Sequence, residues 1–293
     1  MNYNPPNEVA KIAVTTGEKK AHLSLTHILL LGFLAGAYIA FAGHVANIVT
    51  HDLTPYVGYG LTKLINGLVF SVGLILVVIC GGELFTGNCL MLMGYAEGRF
   101  SLVQMLRNWL LVYLANLAGS LTVVLLAWAG SLFASHDSLI GAAIVKAASA
   151  KVSLTFTEAL VRGIIANWLV CLGVWVGYAA QDVVGKITGI MAIITAFVIT
   201  GTEHSIANMY TIPAGILLKN DPGVVQALGK AVALDTLSWT GMLRNLVPVT
   251  IGNIIGGSFL VGGLYSLSYR RPHNTARRNL TTAVGERQRE QTA

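Results

Sequence analysis

Charge is what this sequence is short of. Only 11% of its 293 residues are Asp, Glu, Lys or Arg, against about 25% in soluble domains. Hydrophobic residues make up 54% and the mean hydropathy is +0.67. A chain so poor in charge needs an apolar solvent, and several runs reach the ~18 apolar residues that mark a membrane span. A soluble fold is excluded. Cysteine is scarce as well: Cys80, Cys89 and Cys171 are odd in number, form no CxxC pair and have no His at ligand spacing. They read as small buried residues, which excludes a disulfide framework and a cysteine-based zinc site. There is also no Walker glycine loop or other nucleotide-binding motif, so ATP-driven pumping is excluded and no cofactor is expected.

What is present is a series of apolar spans: Ile28–Val49, Leu64–Met93, Trp109–Phe133, Ala159–Ala179, Ile187–Leu218 and Leu243–Tyr269. The polar stretch from Met1 to Thr26 precedes a span too long for a signal-peptide core, and no small-residue cleavage site follows it. That span is expected to stay as the first helix. The second and fifth spans exceed the ~20 residues needed to cross. Each is interrupted near its middle, by GGELFTGN at 81–88 and TGTEHSIAN at 200–208. Broken helices explain this better than tilted ones, because non-helical backbone at membrane depth is tolerated only inside protein or along a cavity.

The chain repeats itself in order. Glu83 and Asn88 recur as Glu203 and Asn208. Arg107-Asn108, Asn116 and Gly119 recur as Arg244-Asn245, Asn253 and Gly256, and Gly32/Ala35 recur as Gly163/Ala166. Three spans per copy force the copies into opposite orientations, a design whose sites lie near the midplane. The expected fold is all-α: a polytopic membrane protein of six transmembrane helices in two inverted three-helix repeats, with helices 2 and 5 broken at the midplane. The domains follow as a cytoplasmic segment 1–27, a channel domain 28–269 (repeats 28–133 and 159–269) and a basic tail 270–293. With the termini inside, Lys and Arg divide 12 inside against 7 outside, so both termini are expected in the cytoplasm. The tail arginines follow a span directly, which fits anionic headgroups better than nucleic acid.

Ionisable residues within spans are costly and usually face a cavity or a partner. They are few: Glu83, Glu203 and His204, with His44 near one membrane end. His204 sits in the fifth-span break, and an imidazole with a reference pKa of about 6.5 can hydrogen-bond an anion or pass a proton. Thr86 offers a hydroxyl in the opposite break, and Gly87 lets the backbone leave helical geometry. Helix halves that start after such breaks turn positive dipole ends toward the cavity, which favours an anion. The glutamates are expected to accept from backbone amides freed at the breaks. Asn88, Asn116, Asn167, Asn208 and Asn253 are expected to bond across helices. An enzyme using His204 and Ser205 is disfavoured, since adjacent helical residues do not face each other. A passive membrane anchor leaves the two breaks in register unexplained.

GGELFTGN at 81–88, KVSLTFTEALVRGIIANWLVCLGVW at 151–175, EHSIANMY at 203–210 and PVTIGNIIGG at 248–257 resemble the formate–nitrite transporter family, most of all its formate channels. The likeness runs from about Asn7 to Tyr269. It implies a homopentamer of aquaporin-like protomers in a bacterial-type inner membrane, each with its own pore and no enzymatic activity. His204 matches the family's central pore histidine, Thr86 the threonine of the second-span break, and Lys151 the outer vestibule lysine. Glu203, Asn208 and Asn167 match the surrounding polar network. Phe70, Leu74 and Phe197 match residues narrowing the outer end, and Leu84 the inner one. Taken without the family, Lys151 reads as a loop lysine. The implied substrate is a small monovalent anion, formate, conducted passively or with protons; nitrite and hydrosulfide are the alternatives. The Tyr210-Thr211-Ile212-Pro213 continuation leans toward formate.

Overall fold

The computed structural model describes residues 3–229 and 234–269. Lys230 and the arginine-rich tail (Arg270, Arg271, Arg277, Arg278, Arg287 and Arg289) lie outside the described residues. The described chain is helical: α1 (Pro6–Ala21), α2 (Leu25–Thr50), α3 (Thr54–Gly81), α4 (Phe85–Asn88), α5 (Met91–Ala96) and α6 (Leu102–Ala129), then α7 (Leu139–Val152), α8 (Phe156–Ala179), α9 (Val183–Ile199), α10 (Ser205–Leu218), α11 (Pro222–Leu228) and α12 (Trp239–Tyr269). No β-strand occurs among these residues; one isolated bridge joins Tyr3 to Ala180.

Five helices, α2, α3, α6, α8 and α12, are long and apolar enough to cross a bilayer. The 28 residues of α6 extend about 42 Å at 1.5 Å per residue, more than the ~30 Å hydrocarbon core. The fifth span is divided into α9 and α10, which follow each other across a turn. The second begins earlier than its apolar run suggests, at Thr54, and continues beyond its break as α4 and α5. Three helices went unforeseen: α1 in the polar N-terminal stretch, α7 in the connection that carries Lys151, and the short α11 after the fifth span. The distribution of polarity is inside-out. Asn108, Asn116, Asn167 and Asn253 are fully buried, while Leu30, Leu110, Leu126 and Leu243 are each at least 60% exposed. Hydrocarbon tolerates that exterior and water does not, so the chain is a multi-pass membrane protein.

Helix starts are set locally. Ser24 caps α2 through the His27 amide, and Ser101 with Gln104 and Thr155 with Glu158 form capping boxes at α6 and α8. Glycines then let backbones touch. A Cβ built on Gly119 of α6 would lie 2.0 Å from the Phe33 carbonyl of α2, and one on Gly256 of α12 would lie 2.1 Å from the Ile164 carbonyl of α8. The obstacle is backbone in both cases, so a side chain can only push the helices apart. Gly119→Ala and Gly256→Ala are therefore each expected to destabilise the protein by about 1–3 kcal/mol, read as a lower unfolding midpoint in detergent. A control at Gly60, where nothing lies within 4 Å of an added Cβ, should show no such loss.

Candidate functional site

The two helix breaks are built alike. Before the first, Gly81 has φ +87; before the second, Gly201 has φ +66. An added Cβ at either would meet nothing within 4 Å, so the left-handed backbone, and not space, is what calls for glycine. Gly82 and Leu84 are extended before α4, and His204 is extended before α10.

One asparagine closes each break. Asn116 of α6 donates to the Gly32 carbonyl (2.7 Å) and the Glu83 carbonyl (2.8 Å), and its Oδ1 accepts from the Phe85 amide (3.0 Å). Asn253 of α12 donates to the Gly163 carbonyl (2.8 Å) and the Glu203 carbonyl (3.0 Å), and accepts from the Ser205 amide (2.9 Å). An unsatisfied backbone group at membrane depth costs several kcal/mol, and each asparagine removes more than one.

The glutamates do not take up the freed amides, as their position in the breaks had suggested. Their carboxylates close rings with lysine and asparagine side chains. Glu83 is 2.6 Å from Lys20 Nζ and accepts from Asn88 (2.7 Å); Asn88 donates to Asn108 (2.8 Å), which donates to the Lys20 carbonyl (3.1 Å). In the other half Glu203 is 3.0 Å from Lys151 Nζ and accepts from Asn208 (2.7 Å); Asn208 donates to Asn245 (2.7 Å), which donates to the Lys151 carbonyl (2.8 Å). Both glutamates are buried and both lysines are mostly covered. Pairing with lysine and asparagine keeps a buried carboxylate from being left without partners, which is strongly destabilising.

Between the two rings lies a pair of side chains that the repeat does not duplicate. Thr86 Oγ1 and His204 Nε2 are 2.8 Å apart, both buried. His204 Nδ1 accepts from the Ala207 amide at 3.1 Å, so in the neutral ring the proton sits on Nε2 and points at Thr86. The Thr86 hydroxyl then accepts from the ring and keeps its own proton to donate elsewhere. Asn167 holds the backbone here, donating to the Thr86 carbonyl (3.1 Å) and the Asn253 carbonyl (2.7 Å). Cys171 Sγ adds a weaker contact to the Thr86 carbonyl at 3.4 Å.

A cavity lies on either side. One of about 390 Å³ is lined by Lys151, Glu203, His204, Phe70, Phe197 and Asn66, among others. The other, about 320 Å³, is lined by Lys20, Glu83, Asn88, Leu74, Leu84 and Tyr178, among others. The Phe70 and Phe197 rings are 6.1 Å apart, and Phe197 packs edge-on against His204 at 5.9 Å. Leu74 follows Phe70 on the same helix, buried. It lies one helical turn, about 6 Å, farther along α3 and lines the Lys20-side cavity with Leu84.

The structure thus brings together His204, Thr86 and Asn167 at the centre, with Lys151, Glu203 and Asn208 in one ring beside them. Lys20 escaped the reading of the sequence. The spacing of 131 residues that relates Gly32 to Gly163 also relates Lys20 to Lys151 and would have found it. It was overlooked because α1 read as a polar segment before the spans.

The formate/nitrite transporter family model matches residues 7–267. The chain is 41% identical to the probable formate transporter of Methanothermobacter thermautotrophicus, over 92% of this chain and 98% of that one. It is 38% identical to the Escherichia coli K12 formate channel FocA, over 92% and 95%. A solved structure described as a pentameric formate channel with formate bound superimposes with a TM-score of 0.77 at 37% identity, covering 84% of this chain and 98% of that one. On a family match across nearly its whole length, this chain belongs to the formate/nitrite transporter family.

Proposed function

We propose that the chain conducts a small monovalent anion, formate, across a bacterial-type cytoplasmic membrane. The names of its relatives, a formate transporter and formate channels, support that substrate over nitrite or hydrosulfide. In this reading α9 and α10 together make the sixth crossing. Three crossings and their connections in each half then form inverted repeats within an aquaporin-like protomer. The repeats span 28–133 and 159–269, and their polar rings reach back to Lys20 and Lys151. Both termini are cytoplasmic, the Lys20 cavity faces inward and the Lys151 cavity outward. Assembly as a homopentamer rests on the pentameric solved relative. The observation that carries the reading is the buried His204–Thr86 hydrogen bond, set between two polar cavities.

The mechanism follows from solvation. Moving a carboxylate from water into a medium of low dielectric has an idealised cost of about 20 kcal/mol. Two or three hydrogen bonds, each worth about 1.5–3 kcal/mol when charge-assisted, do not offset that. Lys151 draws the anion into the outer cavity by its field. There the anion takes a proton from water and passes Phe70, Leu74 and Phe197 as the neutral acid. The Thr86 hydroxyl donates to its carbonyl oxygen while His204 holds Thr86 in the donating orientation. The acid then leaves past Leu84 and returns its proton to water on the Lys20 side. His204 acts as a hydrogen-bond donor through Nε2, because its Nδ1 is committed to the Ala207 amide and protonation there would break the cap on α10.

The most direct check is a panel of formate, nitrite, hydrosulfide, acetate and lactate fluxes into proteoliposomes across pH, with formate expected to move fastest. In the same vesicles His204→Phe should slow formate by roughly tenfold or more, the equivalent of one buried hydrogen bond. His204→Asn should slow it similarly while keeping the α10 cap, since asparagine is a good N-cap. Unaltered flux and pH dependence in both variants would remove the ring from the mechanism. For the vestibule, Lys151→Gln should lower flux by about tenfold at low salt, with a smaller difference at high salt. Lys151→Arg should stay near the parent rate, and equal rates for Gln and Arg would sink the field argument.

A further inference from the structure

The pore leaves unused a cluster of donors on the Lys151 side, at the end of α2. His51 and Asp52 follow its last residue, Thr50, whose hydroxyl accepts from Asn66 of the Lys151-side cavity (2.8 Å). His136 belongs to the connection between α6 and α7. That connection is tied to α2 at two points seven residues apart on one helical face. The His44 ring meets Phe133 edge-on at 5.5 Å, and the His51 ring meets His136 edge-on at 4.9 Å.

The second tie has the chemistry of a ligand site. His51 Nδ1 lies 2.8 Å from the Ile48 carbonyl, so it donates there, and Nε2 keeps its lone pair. That Nε2 faces His136 Nδ1 at only 2.6 Å. A proton shared between the two ring nitrogens holds them so near, and the same pair of nitrogens can hold a metal ion in its place. Asp52 completes the group: one ligand atom from each of His51, Asp52 and His136 can be chosen so that all lie within 4.8 Å of one another. Two imidazoles with a carboxylate suit a borderline divalent ion such as zinc. A metal-bound histidine characteristically donates its second nitrogen to a carbonyl or carboxylate, as His51 does here.

We propose that His51, His136 and Asp52 form a site for zinc or a similar divalent ion, which fastens the α6–α7 connection to the end of α2. The ion takes the place of the proton between the rings: a protonated pair releases it to solvent, and a neutral His136 carries its proton on Nε2 instead. With Zn–N bonds of about 2.0–2.1 Å the nitrogens separate to about 3.3 Å in tetrahedral geometry, a movement that the exposed His136 can make. Water fills the open position. The fastening bears on the pore because α7, directly after this connection, carries Lys151 in its last turn.

The test uses the full chain purified in detergent, stripped with a chelator and titrated with Zn²⁺ alone. Wild type should bind one Zn²⁺ per chain saturably and unfold at a higher temperature with it. His136→Ala and His51→Gln should each weaken binding by at least about tenfold and lose the thermal shift, with formate flux in metal-free buffer near wild type. His136 is exposed, so its variant tests the site even if the His51 variant folds poorly. Absence of saturable binding by wild type, or equal affinity in His136→Ala, would overturn the assignment.

Discussion

A helix interrupted inside a membrane must find hydrogen-bond partners for the backbone it frees, and two asparagines meet that requirement here. Asn116 and Asn253 each receive an amide at the start of a helix half and donate to one carbonyl in the break and one on a neighbouring helix. Hydrocarbon offers no substitute partner. Everything nearer the centre stands on these bonds: Asn167 reaches the Asn253 carbonyl and then the Thr86 carbonyl, and so sets where the Thr86 hydroxyl lies. The glycine contacts between α2 and α6 and between α8 and α12 bring each asparagine within reach of the break it serves.

The scaffold is duplicated and the chemistry is not. Glutamate, lysine and asparagine rings recur in both halves, as do the glycines of positive φ. The spacing of 120 residues that takes Glu83 to Glu203 takes Leu84 to His204. An apolar side chain and an imidazole therefore occupy matching positions at the starts of α4 and α10. A frame that must hold two breaks open favours the same solution twice. A polar centre needs only one ring and one hydroxyl to orient a small oxyanion or its acid, so a single copy suffices.

The sequence exposed the breaks because polar residues stand out against an apolar run, and it exposed the repeat because asparagines recur at fixed spacing. It was weaker wherever a contact joins distant segments. Lys20 belongs to a helix with little apolar character, so no span search reaches it, although its spacing to Lys151 matches that of Gly32 to Gly163. His51 and His136 are 85 residues apart, beyond any ligand spacing that a motif would reveal. The division of the fifth span into α9 and α10 was legible from TGTEHSIAN. The helical state of α7 was not, because its apolar residues pack on neighbouring helices in place of forming a full span.

The two lysine–glutamate pairs, one in each cavity, carry a consequence for the direction of net transfer. Each entrance presents one cation tied to one buried carboxylate, at 2.6 Å on one side and 3.0 Å on the other. The electrical landscape seen from either end is thus nearly a mirror image. A conduit with that profile has little intrinsic rectification: reversing the concentration difference reverses the stream at a comparable rate. Whatever direction the cell observes is then imposed by the gradients that its metabolism maintains.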